Sequence, residues 1–65
     1  MTEHSAQGLR EELEETGRAL NAARAGFDES ADTDLLEYYL YETHALEARY
    51  AYLLKRLKRG EAERR

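Results

Sequence analysis

The clearest pattern in the sequence is a row of mostly apolar residues at alternating spacings of three and four between Asp34 and Arg59. The row consists of Leu36, Tyr39, Thr43, Leu46, Tyr50, Leu53 and Leu57, and we call it the inner seam. This spacing is the heptad pattern of an α-helix that packs against another helix. We therefore predict a second helix over about residues 33–59, with its inner seam buried.

A second row in the same segment lies two residues further along, and we call it the outer seam. Its members are Tyr38, Tyr41, Ala45, Ala48 and Tyr52. Two residues turn an α-helix by about 200°, so the outer seam faces away from the inner one. A helix that is apolar on two sides must bury both or leave one for a partner. We predict that the outer seam is a protein interface, most simply between two hairpins in a two-fold dimer that forms a four-helix bundle.

A first helix is predicted over about residues 6–26 by the row Ala6, Leu9, Leu13, Thr16, Leu20, Ala23 and Phe27. Gly26 is expected to end this helix, and Gly17 suggests close approach of a neighbouring helix. The turn covers about residues 27–32, and its short length predicts an antiparallel two-helix hairpin, an all-α fold in one domain. The hairpin should be held closed by Leu13, Leu20, Leu46, Leu53 and Phe27.

The ends of the second helix carry the expected polar residues. Asp32 or Asp34 can cap its start, and Glu37 would complete a capping box with Asp34. Basic residues precede Gly60, which is expected to stop the helix before a charged tail over residues 60–65.

A register follows if the turn centres between Glu29 and Ser30. Leu13 then lies opposite Leu46, and two pairs of opposite charge flank this layer. Glu12 faces Arg49, and Arg10 faces Glu47. Such exposed pairs contribute at most about 1 kcal/mol each, so their main effect is to select the register.

Composition narrows the class of protein. The chain has 65 residues with no cysteine and no proline, which excludes a disulfide and favours helices. A chain this short buries little surface and usually needs an oligomer or another staple. It contains no membrane-length apolar run and no signal-peptide core, so a cytoplasmic location is expected.

Candidate catalytic chemistry is weak. His44 and Glu47 give His-x-x-Glu, whereas di-iron bundles use Glu-x-x-His, and Tyr41 occupies the position where that motif would need an acid. The acidic group Glu11, Glu12, Glu14 and Glu15 is typical of a solvated helix face. No phosphate-binding loop, catalytic triad or zinc spacing occurs. We predict no enzymatic activity, no metal, no cofactor and no small-molecule substrate.

Binding of single-stranded nucleic acid is the alternative function. The candidate contacts are Lys55, Arg56, Lys58 and Arg59, with Tyr52 nearby, because basic and aromatic side chains together suit single strands. Against it, the net charge is −4, with −6 on residues 1–34 and +2 on residues 35–65. A basic helix C-terminus also has a structural explanation in the helix dipole. Protein contact and self-association are therefore favoured.

Two strings in the sequence resemble the YaaL-like family of short bacterial proteins, a domain of unknown function. They are Asp32-Thr33-Asp34-Leu35-Leu36-Glu37-Tyr38 with Tyr41, and Tyr50-Ala51-Tyr52-Leu53-Leu54-Lys55. The resemblance covers about Phe27 to Arg59. Thr33 departs from the proline that the family pattern often places there. The resemblance implies a small cytoplasmic helical protein and supplies no catalytic residue.

Overall fold

The chain forms two helices joined by a three-residue loop in a computed structural model, which describes the backbone of residues 6–63 and the side chains of residues 7–60. The first helix, α1, spans Ala6–Glu29, and the second, α2, spans Thr33–Glu63. The two helices pack against each other along their length, and the hairpin is elongated, with dimensions of 49 × 18 × 14 Å. The predicted all-α helical hairpin is confirmed.

Both helices are longer than their sequence patterns predicted. α1 passes through Gly26 and ends at Glu29, and α2 passes through Gly60 to Glu63. Among the described residues no glycine has a positive φ, so neither glycine is a left-handed helix cap. The predicted ends at residues 26 and 59 were therefore wrong, as was the first half of the predicted turn, because residues 27–29 belong to α1. Arg64 and Arg65 of the predicted tail lie outside the described residues.

The loop of Ser30, Ala31 and Asp32 is ordered by side chains that accept backbone hydrogen bonds. The Ser30 Oγ accepts a bond from the Asp32 N–H at 3.3 Å. The Asp32 carboxylate accepts the N–H of Asp34 at 2.9 Å, and the Asp32 carbonyl accepts the N–H of Leu36 at 2.9 Å. Asp32 is therefore the N-cap of α2, and Asp34 is a first-turn residue with a favourable charge.

The core between the helices is thin. The buried hydrophobic side chains among the described residues are Leu9, Leu20, Ala23 and Leu53, and Thr16 is buried with them. Leu13 and Leu46 are only half-buried. Phe27, which was expected to help close the hairpin, is 38% exposed, because it lies at the loop end, where α2 covers it only in part.

Two glycines of α1 make room for two tyrosines of the inner seam. A Cβ on Gly26 would lie 2.5 Å from the Tyr39 Cζ, and one on Gly17 would lie 3.3 Å from the Tyr50 Cε1. In the heptad pattern Gly17 and Gly26 flank the buried stripe of α1 on opposite sides. The packing role suggested for Gly17 is confirmed, and Gly26 has a packing role instead of a terminating one.

Charged pairs along the edges of the hairpin give its register. Arg49 approaches Glu12 at 3.5 Å, as predicted. Glu47, however, pairs with Arg24 at 2.9 Å, so its predicted pairing with Arg10 was wrong. The loop is centred at Ala31 instead of between Glu29 and Ser30, because α1 continues past its predicted end. As a result, each residue of α2 lies opposite a residue of α1 that is later in the chain than the predicted one.

Candidate functional site

The outer seam of α2 forms an exposed face on the side of the helix away from α1. Tyr38, Tyr41 and Tyr52 are 54%, 68% and 56% exposed. Ala45 and Ala48, which lie between these rings, are exposed as well. The result is one continuous surface with large rings toward both ends and small side chains at its centre. An apolar face of this kind is typical of a contact surface.

At the loop end of the outer seam, the Tyr38 ring is held from two sides. Its plane meets the Tyr39 ring edge-on, with ring centroids 5.1 Å apart, and Tyr39 itself packs on Gly26. The Tyr38 hydroxyl donates a hydrogen bond to the Glu42 carboxylate at 3.4 Å. The negative charge of Glu42 is the main cause that raises the pKa of Tyr38 above its ordinary value. The Tyr38 ring is thus oriented by two neighbouring side chains of its own helix.

At the other end, Tyr52 is paired with Arg56. The Arg56 Nη1 donates to the Tyr52 hydroxyl at 2.8 Å, and the guanidinium carbon lies 5.8 Å from the ring centroid. Arg56 is half-buried, whereas Lys55, Lys58 and Arg59 are exposed. The basic cluster predicted from the sequence therefore lies on α2 beside the outer seam, with one of its four members engaged by a tyrosine of that seam.

The weak metal half-site is not assembled. His44 is exposed, and Glu47 is used in the ion pair with Arg24. Within the part of the chain that the structure describes, no group of three or more His, Cys, Asp or Glu residues could hold a metal ion. In the same part of the chain, neither helix is long and apolar enough to cross a membrane.

Sequence reasoning missed a second apolar exposure at the loop end. Leu40 follows Tyr39 on the flank of the inner seam, yet it is 43% exposed and lines a shallow depression with Phe27 and Thr43. Leu35 is 45% exposed in the first turn of α2. The position of Leu40 on the flank of the seam, next to the short loop, is the sequence signal for its exposure.

The chain was compared with known protein families, curated proteins and solved structures. The sequence profile of a family described as "Protein of unknown function (DUF2508)" matches residues 2–63. The chain belongs to this family. The YaaL-like resemblance agrees with membership of DUF2508, and the match also includes α1, which the resemblance did not cover. No curated protein and no solved structure matched the chain.

Proposed function

We propose that this DUF2508 hairpin is a non-enzymatic interaction module that self-associates through the outer seam of α2. Two hairpins would then meet with α2 against α2, and the two α1 helices would lie on the outer sides of the dimer. The observation that carries the proposal is the exposure of Tyr38, Tyr41 and Tyr52, each more than half exposed on a face that α1 leaves uncovered. Tyrosine is enriched at protein interfaces because its ring adds a large buried apolar area while its hydroxyl can still bond to water at the rim.

The thin core supports association. Only four hydrophobic side chains are buried among the described residues, and none of the described side chains is fully enclosed. A domain of this size gains little free energy from such a core, and association is a common way to add buried area. Covering the outer seam would bury three aromatic rings on each copy, which is more rings than any single layer between α1 and α2 contains.

A second copy of the chain suits this surface in shape. Ala45 and Ala48 lie at the centre of the outer seam, where small side chains let two helix backbones approach closely. The rings on either side of them can then pack around the close contact. A two-fold dimer places the same patch on both partners, so one surface of this kind is sufficient for a closed assembly.

The test is the mass of the protein across a dilution series, measured by analytical ultracentrifugation. We expect a dimer at high concentration and a monomer at low concentration. Ala45→Arg should shift the protein toward monomer, because it places a charged chain at the centre of the interface. Ala22→Arg is the matched control, since Ala22 is an exposed alanine of α1 remote from the outer seam. A monomer throughout the series, or an equal effect of both variants, would rule out the proposal.

Nucleic-acid binding remains a competing function with its own observable result. The pairing of Arg56 with Tyr52 places a cation and a ring together, as single-strand sites do. Binding of a labelled single-stranded oligonucleotide that weakens steeply with salt, and that Lys55→Ala and Lys58→Ala reduce, would favour it. We favour self-association because all three exposed rings of the outer seam are explained by one contact.

A further inference from the structure

The outer seam continues at heptad spacing beyond its tyrosines, and its four central residues read the same in both directions, as tyrosine, alanine, alanine and tyrosine. With one more position before it and two after, it reads Asp34, Tyr38, Tyr41, Ala45, Ala48, Tyr52, Lys55 and Arg59. Ala45 and Ala48 are the central pair, and a tyrosine lies outside each of them. An acid ends the row at one side and a base at the other. All eight side chains are exposed on the single chain.

We propose that two copies pair with their α2 helices antiparallel, about a two-fold axis that passes between Ala45 and Ala48. This inference rests on the proposed self-association and adds the orientation and register of the partner. Ala45 then lies against the second copy's Ala48, and Tyr41 packs on the second copy's Tyr52. Each such layer pairs an a position of one heptad seam with a d position of the other, as in antiparallel coiled coils.

The charges outside the central layers agree with this orientation. Asp34 meets Arg59 of the second copy, and the Tyr38 ring meets the ammonium of Lys55, an arrangement that favours a cation–π contact. On the two flanks of the seam, Glu37 faces the second copy's Lys58. Every charged layer therefore combines an acid or a ring with a base, and the two-fold axis repeats each one.

A further flanking pair, Glu42 with the second copy's Arg49, also has opposite signs. Within one chain the Glu42 carboxylate accepts a hydrogen bond from the Tyr38 hydroxyl, and Arg49 contacts Glu12 at 3.5 Å. The Arg49 side chain is 56% exposed, so it can contact carboxylates of both chains. This pair would connect the edge of one hairpin to the interface with the other.

A parallel arrangement in the same register is disfavoured by its charges. It would place Asp34 beside Asp34, Lys55 beside Lys55 and Arg59 beside Arg59, so each charged layer of the seam would be repulsive. Like charges across a helix interface select against a pairing even where each contributes little free energy. The charges of α2 thus favour a second copy on the outer seam in the antiparallel direction.

Cross-linking between single cysteines tests the orientation, and the native chain has no cysteine to interfere. Glu37→Cys and Lys58→Cys are refolded separately and together, then treated with a short bismaleimide. Positions 37 and 58 are 21 residues apart, which is about 30 Å along one helix and beyond the reach of the reagent. We expect cross-linked dimer in the mixture and little in either variant alone.

The outcomes separate the orientation from the association itself. Cross-linking of Glu37→Cys with itself would overturn the antiparallel orientation. So would an absence of cross-linking in a mixture whose mass is dimeric, although the proposed function would survive both results. A mass that is monomeric at all concentrations would overturn the proposed function and this inference together.

A charge swap gives an independent measurement on the same pair. Glu37→Lys or Lys58→Glu alone should raise the dimer Kd roughly tenfold, since each change makes two repulsive contacts per dimer. The double variant should return to within about threefold of the parent, because each swapped pair is again attractive. Recovery can arise only between chains, given the separation of the two residues within one chain. A double variant that binds no better than the singles would overturn the pairing.

Discussion

The ring of Tyr39 lies against the backbone of Gly26, so close that a Cβ at position 26 would come within 2.5 Å of the ring Cζ. This contact joins the last turns of α1 to the first turns of α2, next to the loop. It also supports the edge-on contact between Tyr39 and Tyr38, and so reaches the first ring of the outer seam.

Gly26→Ala should destabilise the hairpin by about 1 kcal/mol, the middle of a net range of about 0–2 kcal/mol. Alanine gains about 1 kcal/mol of helix propensity over glycine, but overpacking typically costs about 1–3 kcal/mol and the Tyr39 ring must leave its place. Urea denaturation followed by circular dichroism measures the change in the free energy of unfolding. Gly60→Ala is the control, because nothing lies within 4 Å of its added Cβ and it should be neutral or stabilising. A stabilising Gly26→Ala would contradict the packing role.

Leu53→Ala should cost about 3 kcal/mol, close to the total stability of so small a domain. Leu53 is 4% exposed, whereas Leu46 on the same seam is only half-buried. Leu46→Ala should therefore cost clearly less, because the half-buried site leaves a smaller cavity. Thermal and urea unfolding of both variants at one protein concentration make the comparison. An equal loss of unfolding free energy at the two positions would show that the cost of truncating an inner-seam leucine does not follow its burial.

Asp32→Ala should destabilise α2 by about 1 kcal/mol, since it removes the acceptor for the Asp34 N–H at the helix start. Asp32→Asn keeps a side-chain acceptor and should lose much less. Asp34→Ala serves as a comparison, because it removes a first-turn charge without removing the cap. Unfolding free energies of the three variants should follow this order, and a loss that is largest for Asp34→Ala would place the cap elsewhere.

Glu42→Gln should move the titration of Tyr38 to lower pH. The Glu42 carboxylate opposes formation of the tyrosinate, so the pKa of Tyr38 is raised while that charge is present. Ultraviolet absorbance of tyrosinate records the titration, and a parallel titration of Tyr38→Phe identifies the contribution of this ring among the five tyrosines. An unchanged Tyr38 titration in Glu42→Gln would mean that the two side chains do not interact in solution.

Much of the fold was predictable because helical periodicity is a local property. The spacing of Leu36, Tyr39 and Leu53 was enough to identify the inner seam. The outer seam was identified because Tyr38 and Tyr41 each lie two residues after an inner-seam residue. Both parts of the prediction depend only on positions along one helix. The exposure of Tyr38, Tyr41 and Tyr52 on the single chain agrees with the face they were assigned to.

The parts that were not predictable depend on contacts between the helices. Gly26 was interpreted by its local preference for helix ends, but its role is decided by the Tyr39 ring from α2. The pairing of Glu47 with Arg24 depended on where α1 ends, and a few residues of error there displaced the register. Leu40 has the chemistry of a core residue, yet it is exposed because neither α1 nor the loop covers it at that end of the described hairpin.

The three-residue loop has a kinetic consequence. Closing so short a connection costs little chain entropy, so the hairpin can zip from its loop end in a fast, unimolecular step. Joining two hairpins requires diffusion and is second order in protein. If the proposed dimer forms, refolding should show an early phase with a rate independent of concentration, followed by one that accelerates as the chain becomes more abundant.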